Sequence, residues 1–302
     1  MTASAVILRE RDLALLRLLD KTPATAALIV KASATFGQEA FLDERRARER
    51  LQTLESCGLL RSFTPPYAMG SSLRWYKLSR DGFLHLHGAE TSPPSKSQFA
   101  NIPPSRIEHT HVVAEVIVHS LVAAHQFRLK TTTCLGDGAL VVDIGFSRQA
   151  PDCFFQFQSG GKTFNVLFEV DNGTEPLTTN RIQSIRSKIT TYEAYQDAVR
   201  YDWKRAAEFG TRPRFRVAFL TKSADRANHI LWLARETARN PDRRLCYAAT
   251  QDTYLAESDA LRAPLFNDHH GHWQSLVNTH PTSQFLRTPI RLAAPMGNVA
   301  HI

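Results

Sequence analysis

The sequence predicts an α/β protein of two domains joined by a linker. Three observations lead to this fold class: apolar residues recur at helical spacing near the N-terminus, a segment rich in Pro and Ser follows, and apolar strands then alternate with amphipathic helices. A chain of 302 residues is long enough for two hydrophobic cores. We divide it into a first domain (1–88), a linker (89–106), a second domain (107–255) and a C-terminal tail (256–302).

The composition favours a polyanionic partner. Lys and Arg number 37 against 29 Asp and Glu, which gives a formal net charge of +8 and an isoelectric point near 9.5. Such a balance points first to nucleic acid. No apolar stretch has the length of a membrane span, and the N-terminus does not resemble a secretory signal, so we expect a cytoplasmic protein without membrane contact. The four cysteines form no CxxC pair, which argues against a disulfide framework or a zinc knuckle.

The first domain predicts three helices followed by a β-hairpin. Asp43 is the expected N-cap of the third helix, and Gly58 its stop. Ala47, Leu51 and Leu54 form the buried stripe of that helix. The segment 59–86 then predicts strand, turn and strand. This order is typical of a winged helix-turn-helix, in which the third helix enters the major groove of DNA.

The polar face of the third helix and the hairpin carry the predicted contacts to double-stranded DNA. These residues are Arg45, Arg46, Arg48, Arg50, Gln52, Arg74, Lys77 and Arg80. The alternative is that the arginines, interleaved with Glu44 and Glu49, form a solvated surface. Winged helices also serve as protein-interaction modules.

The second domain predicts helix, three strands, helix, strand, helix and strand. A stripe of apolar residues defines the helix after the third strand, and that helix is expected to cross over to a parallel strand, which gives a mixed-sheet sandwich. The stripe consists of Ile182, Ile185, Ile189 and Tyr192, and the first of the three strands is "ALVVDIGF". We interpret "NDHHGHW", in the C-terminal tail, as a solvated loop.

The segment 151–177 carries three carboxylates in an apolar hairpin. With Gly160-Gly161 as a two-residue turn, Ser159 pairs with Lys162 and Asp152 lies opposite Glu169, with their Cβ atoms about 5 Å apart. Asp171 shares that face because side chains alternate along a strand. The other face is expected to be the core side; it carries Phe155, Phe157, Val166, Phe168 and Val170.

Carboxylates placed opposite one another repel, and a hard divalent cation would offset the repulsion. Lys188, on the following helix, lies beside the apolar stripe with Arg181 and Tyr195 on the same flank, and its long side chain can reach the strand ends. Carboxylates, a divalent ion and a lysine are the groups that phosphodiester hydrolysis needs. The alternative is that Glu169 and Asp171 solvate a sheet edge and Lys188 is their salt-bridge partner.

Pro151-Asp152, a gap of 16 residues and then Glu169-x-Asp171 resemble the motif of the PD-(D/E)XK nuclease superfamily. With a winged helix in front, "FEVDNGTEPL" and Lys188-x-x-x-Tyr192, the chain resembles the plasmid replication-relaxation family over about residues 8–220. The resemblance implies a restriction-endonuclease-like sandwich in which Asp152 and Glu169 bind Mg²⁺ or Mn²⁺. Asp171 stands where the superfamily has its lysine, and Lys188 is the substitute that we assign.

The resemblance also implies an auxiliary carboxylate on the preceding helix, either Glu115 or Glu108. Asp152, Glu169, Asp171, Lys188 and Glu115 are thus the expected catalytic residues, the first three as metal ligands. The function it implies is metal-dependent nicking of DNA in plasmid or mobile-element replication or mobilisation, with proteins of those processes as partners. The alternatives are a catalytically inactive DNA-binding regulator or scaffold, and a protein-interaction adaptor. The oligomeric state stays open, a homodimer included.

Overall fold

The computed structural model describes residues 7–37, 40–65, 73–173, 175–178, 184–201, 214–240 and 242–278. The chain divides into two compact units, Met1–His125 and Gln126–Ile302. Four features of the sequence analysis lie outside the described residues: the predicted wing turn at 66–72, Arg181, Ile182, and the tail beyond residue 278.

The first unit begins with three helices and a small antiparallel sheet. Asp43 caps the third helix by accepting the backbone N–H of Arg46 at 2.8 Å, and Ala47, Leu51 and Leu54 are fully buried, as predicted. The sheet order is β1-β3-β2, and the elements follow the order of a winged helix-turn-helix. They are α1 (Glu10–Lys21), β1 (Ala24–Thr25), α2 (Ala26–Ser33), α3 (Glu44–Ser56), β2 (Leu60–Phe63) and β3 (Trp75–Leu78).

The second strand of the predicted hairpin is shorter than expected. It ends at Leu78 because Ser79 accepts the backbone N–H of Gly82 at 2.9 Å and caps a helix, α4 (Arg80–His87). Arg80 therefore begins a helix and does not lie on a wing strand.

The segment predicted as a linker has ordered contacts with the sheet of the first unit. It contains the short helix α5 (Lys96–Phe99), and Arg61 of β2 donates to the carbonyl of Phe99 at 3.0 Å and to Oδ1 of Asn101 at 2.8 Å. The next helix, α6 (Ile107–Gln126), buries Ala114, Val118 and Val122 in the same core as α1 and α3. The helix that we assigned to the second domain thus belongs to the first compact unit up to His125.

The second unit is built on a mixed sheet of seven strands in the order β12-β11-β10-β9-β8-β7-β4. β7 and β8 pair antiparallel, β8 and β9 pair parallel, and α7 connects the latter two, so the predicted crossover and the mixed α/β class are confirmed. The elements are β4 (Lys130–Leu135), β5 (Val142–Asp143), β6 (Arg148–Gln149), β7 (Cys153–Ser159), β8 (Lys162–Asp171), α7 (Ile185–Tyr201), β9 (Phe215–Thr221), α8 (Ala224–Thr237), β10 (Cys246–Thr250), α9 (Gln251–Ala256), β11 (Phe266–Asp268) and β12 (Trp273–Gln274).

Two strand assignments differ from the sequence prediction. The segment "ALVVDIGF" does not join the main sheet; its β5 pairs with β6 in a separate hairpin, and β4 takes the edge position beside β7. The histidine-rich segment is not a solvated loop, because Asp268 and His269 are buried in the β11–β12 hairpin. Asp268 accepts the backbone N–H groups of His270 and His272, at 3.0 and 2.9 Å, which closes that turn.

Both faces of β8 are buried. The predicted core face is confirmed, since Phe168 packs against Tyr254 with ring centroids 5.6 Å apart. The opposite face, which carries the acids, is covered as well: Leu167 shares a core with Ile189 of α7 and Ile230 of α8. Glu169 and Asp171 therefore lie in a helix–sheet interface and not on a solvated edge. No described helix is long and apolar enough to cross a membrane, and all four cysteines are free thiols.

Candidate functional site

The β7–β8 hairpin has the predicted register. Gly160 and Gly161 both have positive φ, 54° and 71°, which suits the two-residue turn, and the pairs run from Ser159–Lys162 to Cys153–Phe168. Asp152 continues this pairing immediately before β7 begins. Its backbone N–H donates to the carbonyl of Phe168 at 3.0 Å, and its Oδ2 accepts the backbone N–H of Val170 at 2.6 Å. The Asp152 side chain is thereby fixed beside the strand position of Glu169.

One face of α7 holds both oxygens of the Glu169 carboxylate. The Nζ atom of Lys188 donates to Oε2 at 2.7 Å, and the hydroxyl of Tyr192 donates to Oε1. Lys188 and Tyr192 are four residues apart, so they lie one helical turn from each other on the same side of the helix. Glu169 is only 1 % exposed, which makes it a buried, fully hydrogen-bonded carboxylate.

Burial and charge act in opposite directions at this carboxylate. Burial raises the pKa of Glu169 to about 7, against the opposing charge of Lys188, and the nearby charge of Asp152 adds to the rise. Burial alone would lower the pKa of Lys188, but Glu169, Glu175 and Asp152 outweigh it and hold that pKa above its ordinary value. The pKa of Tyr192 is also raised, by burial first and then by Glu169, so its hydroxyl keeps the proton that it donates.

A fourth carboxylate, which sequence reasoning missed, completes the surroundings of Lys188. Oε1 of Glu175 accepts from the Lys188 ammonium at 2.8 Å, while its Oε2 is buried without a hydrogen-bond partner among the described residues. Glu175 follows β8 after a turn in which Gly173 has a φ of 80°. The sequence signal for the position of Glu175 is the Asn172-Gly173 pair, which predicts a turn. A turn directly after the strand returns the chain toward the strand end.

Asp171 lies on the face of Glu169, as predicted, but a different cation binds it. The Nε atom of Arg226, in the first turn of α8, donates to its Oδ2 at 2.6 Å, and the backbone N–H of Gly173 donates to its Oδ1 at 3.1 Å. Arg226 is also bonded to the carbonyl of Glu175. Among the bonds described for Asp171 none comes from Lys188, so the structure gives this carboxylate a role in fixing the loop after β8.

Metal binding stays a prediction, which the chemistry of the donor groups supports and their present arrangement does not. Within the described ranges, no three His, Cys, Asp or Glu side chains are arranged to hold a metal ion. The carboxylates of Asp152, Glu169 and Glu175 are nevertheless the oxygen donors that Mg²⁺ and Mn²⁺ prefer, and Oε2 of Glu175 is a buried oxygen without a donor. The residues present therefore fit a hard divalent cation.

The predicted auxiliary carboxylate lies on α6, in the first compact unit. Glu115 pairs there with Nε2 of His111 at 3.7 Å, and Glu108 lies in the first turn of the same helix. Their auxiliary role stays a prediction.

Most of the predicted DNA-binding residues lie on the surface of the first unit. Arg45 and Arg46 are exposed and pair with Glu49 at 3.0 and 3.7 Å, and Arg48 is exposed and pairs with Glu44. Gln52, Arg74 and Arg80 are also exposed. Each arginine pair is a solvated helix pair of the kind that contributes little to stability, so it can exchange for a phosphate contact.

Three of these residues meet at one cavity. A cavity of about 530 Å³ lies between the start of α2, the polar face of α3 and β3. Arg48, Gln52 and Arg74 line it, together with Glu44, Glu55, Tyr76 and others. The cavity therefore lies between the predicted recognition face of α3 and β3, the strand that follows the predicted wing turn.

Two of the residues predicted to contact DNA have partners within the protein, and their contact with DNA stays a prediction. Arg50 is 20 % exposed, and its Nε donates at 2.7 Å to Asp12 of α1, which is fully buried. This ion pair joins α3 to α1, and the charge of Arg50 neutralises an interior carboxylate. Lys77 donates to the carbonyl of Ala100 at 3.0 Å and holds the segment before α6.

Comparison with known proteins finds similar solved structures and a matching family. One similar solved structure is the restriction endonuclease FokI, at 13 % identity over 86 % of this chain and 45 % of that one, with a TM-score of 0.28. Another is FokI bound to DNA, at 11 % identity over 86 % of this chain and 46 % of that one, with a TM-score of 0.25. The chain spans less than half the length of either. No curated protein matches it. A family model described as replication-relaxation matches residues 15–211, more than half of the chain, and the chain belongs to that family.

Proposed function

We propose that this protein binds duplex DNA through its first unit and hydrolyses a phosphodiester bond at a PD-(D/E)XK-like centre in its second, during plasmid or mobile-element replication or mobilisation. The observation that supports this proposal is the contact between the Lys188 ammonium and the buried Glu169 carboxylate. A lysine on the helix after the strand thus reaches the strand-end acid beside Asp152, where the nuclease motif requires a cation.

Each residue has a distinct role in the proposed reaction. Asp152 and Glu169 would hold a Mg²⁺ or Mn²⁺ ion, which when bound supplies an activated water and neutralises charge on the phosphate. The Lys188 ammonium stabilises the negative charge that develops on the phosphate oxygens. Tyr192 orients the Glu169 carboxylate through its hydroxyl.

A second candidate function is a DNA-binding regulator or scaffold without catalysis. The specific observation that favours it is that Lys188 already neutralises two carboxylates, Glu169 and Glu175, within 2.8 Å. A built-in ammonium can provide the charge balance that a metal ion provides in an active centre.

A nicking assay on supercoiled plasmid with Mg²⁺ or Mn²⁺ separates the two candidates. We expect wild type and the exposed-carboxylate control Glu236→Gln to nick DNA, and Asp152→Asn and Glu169→Gln to lose about 100-fold or more in rate, since each removes a proposed metal ligand. Calorimetric titration with Mn²⁺ in the absence of DNA measures metal binding separately from catalysis. We expect Asp152→Asn and Glu169→Gln to bind Mn²⁺ more weakly than wild type and Glu236→Gln. If all four proteins give the same rate and bind no Mn²⁺, the catalytic proposal fails.

Binding of the first unit to duplex DNA is tested by the dependence of affinity on salt. Arg48→Ala and Arg74→Ala are expected to weaken binding and to lower the magnitude of the slope of log K against log salt by about 1 for each phosphate that the variant no longer binds. Arg17→Ala, which removes an exposed arginine of α1 outside the cavity, is the matched control. Equal slopes in all three variants and in wild type would favour the protein-interaction alternative.

A further inference from the structure

The small β5–β6 hairpin of the second unit presents an aromatic ring to solvent. Phe146 is 81 % exposed. Among the described residues, the other large hydrophobic side chains that are exposed are Ile7, Leu42 and Leu73, so Phe146 is the only aromatic one. An exposed aliphatic residue is ordinary. A phenylalanine at a hairpin tip with this exposure, however, presents a large apolar ring surface to water.

The backbone of this hairpin holds the ring outward. Gly145 and Phe146 form a two-residue loop closed by the bond from the Ile144 N–H to the Ser147 carbonyl at 3.0 Å. Gly145 has a φ of 85°, a conformation that favours glycine, and its N–H donates to Oδ1 of Asp143 at 2.7 Å. Below the loop, the side chain of Val142 is fully buried in the core that includes α7. The tip therefore has little freedom to fold Phe146 back onto the protein.

The same hairpin is hydrogen-bonded to the helix that carries Lys188. The hydroxyls of Ser147 and Thr191 are 2.7 Å apart, and Thr191 follows Lys188 by three residues, or about 4.5 Å along the axis of α7. At its other end the hairpin runs directly into the catalytic strand, because Gln149 of β6 precedes Asp152 by only three residues. Two independent connections thus tie the position of Phe146 to the residues proposed to act on the phosphodiester.

We infer that Phe146 stacks on an unpaired or unstacked base of the DNA next to the bond that the site acts on. The inference rests on the proposed function and adds its substrate class: DNA with a single-stranded or frayed segment at the site. A base needs only one ring face for stacking, and stacking works with any base. An exposed cation, Arg148, lies two residues away on the hairpin and suits the adjoining phosphates.

A protein partner fits this tip less well. A stable protein interface buries about 800 Å² on each side. The residues around Phe146 are instead small or charged: Asp143, Gly145 and Arg148 are all exposed. Among the described residues of this hairpin, Phe146 is the only exposed apolar side chain.

The test compares Phe146→Ala, Phe146→Trp and the control Ile7→Ala, which removes an equally exposed apolar side chain of the first unit. Full-length protein in EDTA is titrated into labelled fully paired duplex, single strand, and duplex with an unpaired tail. A 2-aminopurine in the tail reports stacking through quenching of its fluorescence. Since one stacked base contributes about 1–3 kcal/mol, Phe146→Ala should bind the tailed DNA and the single strand about 5- to 150-fold more weakly. Its affinity for paired duplex should stay within about twofold of wild type, and Phe146→Trp should restore both binding and quenching.

Three outcomes would overturn the inference. The first is an equal loss on duplex and tailed DNA, and the second is unchanged quenching in Phe146→Ala. The third is unchanged DNA binding together with loss of self-association in sedimentation, which would assign the tip to a protein contact. Because EDTA removes divalent ions, a failed nicking assay leaves this measurement intact. If wild type binds none of the three DNAs, the proposed function fails as well.

Discussion

The Lys188 ammonium lies 2.7 Å from Oε2 of Glu169, in the interface between α7 and β8. It is the only described hydrogen bond from a cation to this carboxylate, whose other oxygen accepts from Tyr192. The pair joins the helix to an interior strand of the sheet at the point where chemistry is proposed. It therefore affects stability as well as activity.

Removal of Lys188 alone is expected to destabilise the protein. Lys188→Met leaves the Glu169 carboxylate buried without its counter-charge, and breaking a buried pair from one side costs about 3–5 kcal/mol. The double variant Lys188→Met/Glu169→Gln should recover much of that loss, because the buried position 169 is then uncharged and only Glu175, whose side chain is 36 % exposed, loses its cation. Urea unfolding of wild type, both single variants and the double variant gives the coupling free energy. Additive effects of the two substitutions would contradict the prediction.

Asp171 is expected to matter more for the loop after β8 than for metal binding. Asp171→Asn removes the ion pair with Arg226, so we expect a loss of about 3 kcal/mol in unfolding free energy, with the Mn²⁺ affinity unchanged within about twofold. Asp152→Asn should show the reverse pattern. Unfolding and Mn²⁺ titration on both variants decide the matter, with Glu236→Gln as the exposed control. A large loss of Mn²⁺ affinity in Asp171→Asn would restore Asp171 as a metal ligand.

Two arginines of α3 should separate stability from DNA binding. Arg50→Met leaves the buried Asp12 carboxylate unpaired and should cost about 3–5 kcal/mol, while Arg48→Met removes a solvated pair worth about 0–1 kcal/mol. DNA affinity, measured well below the unfolding transition, should fall in Arg48→Met. A stable Arg50→Met with weak DNA binding would return Arg50 to the DNA face.

The contribution of Asp12 to stability should depend on pH in the acid range. Burial would raise the pKa of Asp12, but the hydrogen bond and charge of Arg50 and the backbone N–H of Arg9 outweigh it, so the pKa in the folded protein lies below 3.8. A lowered pKa contributes stability above the unfolded value and loses it as the pH falls through the folded value. The difference in unfolding free energy between wild type and Asp12→Asn should be constant from about pH 7 to pH 5 and shrink below about pH 4. A difference that grows toward low pH would contradict this assignment.

The sequence predicted those parts of the site that depend on turn type, strand alternation and helical periodicity. Gly160-Gly161 fixes the hairpin register, and the register together with strand alternation places Asp152, Glu169 and Asp171. Helical periodicity places Lys188 on a flank of α7, within reach of Glu169.

What sequence did not predict depends on contacts between distant residues. Arg226 pairs with Asp171 across 55 residues, and no periodicity encodes that choice. Asp268 lies in a histidine-rich segment that reads as a loop by composition, but backbone N–H groups from its own turn allow it to be buried. Composition predicted an interdomain linker before α6, and two basic side chains of the sheet of the first unit bind carbonyl and amide oxygens of this segment.

Those bonds from Arg61 and Lys77 have a consequence for how the protein can be cut and recombined. A fragment that stops at residue 88 would lose the acceptors of both side chains and the α6 residues that complete the core, such as Ala114 and Val118. A fragment that stops at His125 keeps them all. The piece that a gene fusion can move intact between proteins is therefore the first three helices and their sheet together with α6, and a chimera joined at the Pro-rich segment would expose an apolar surface.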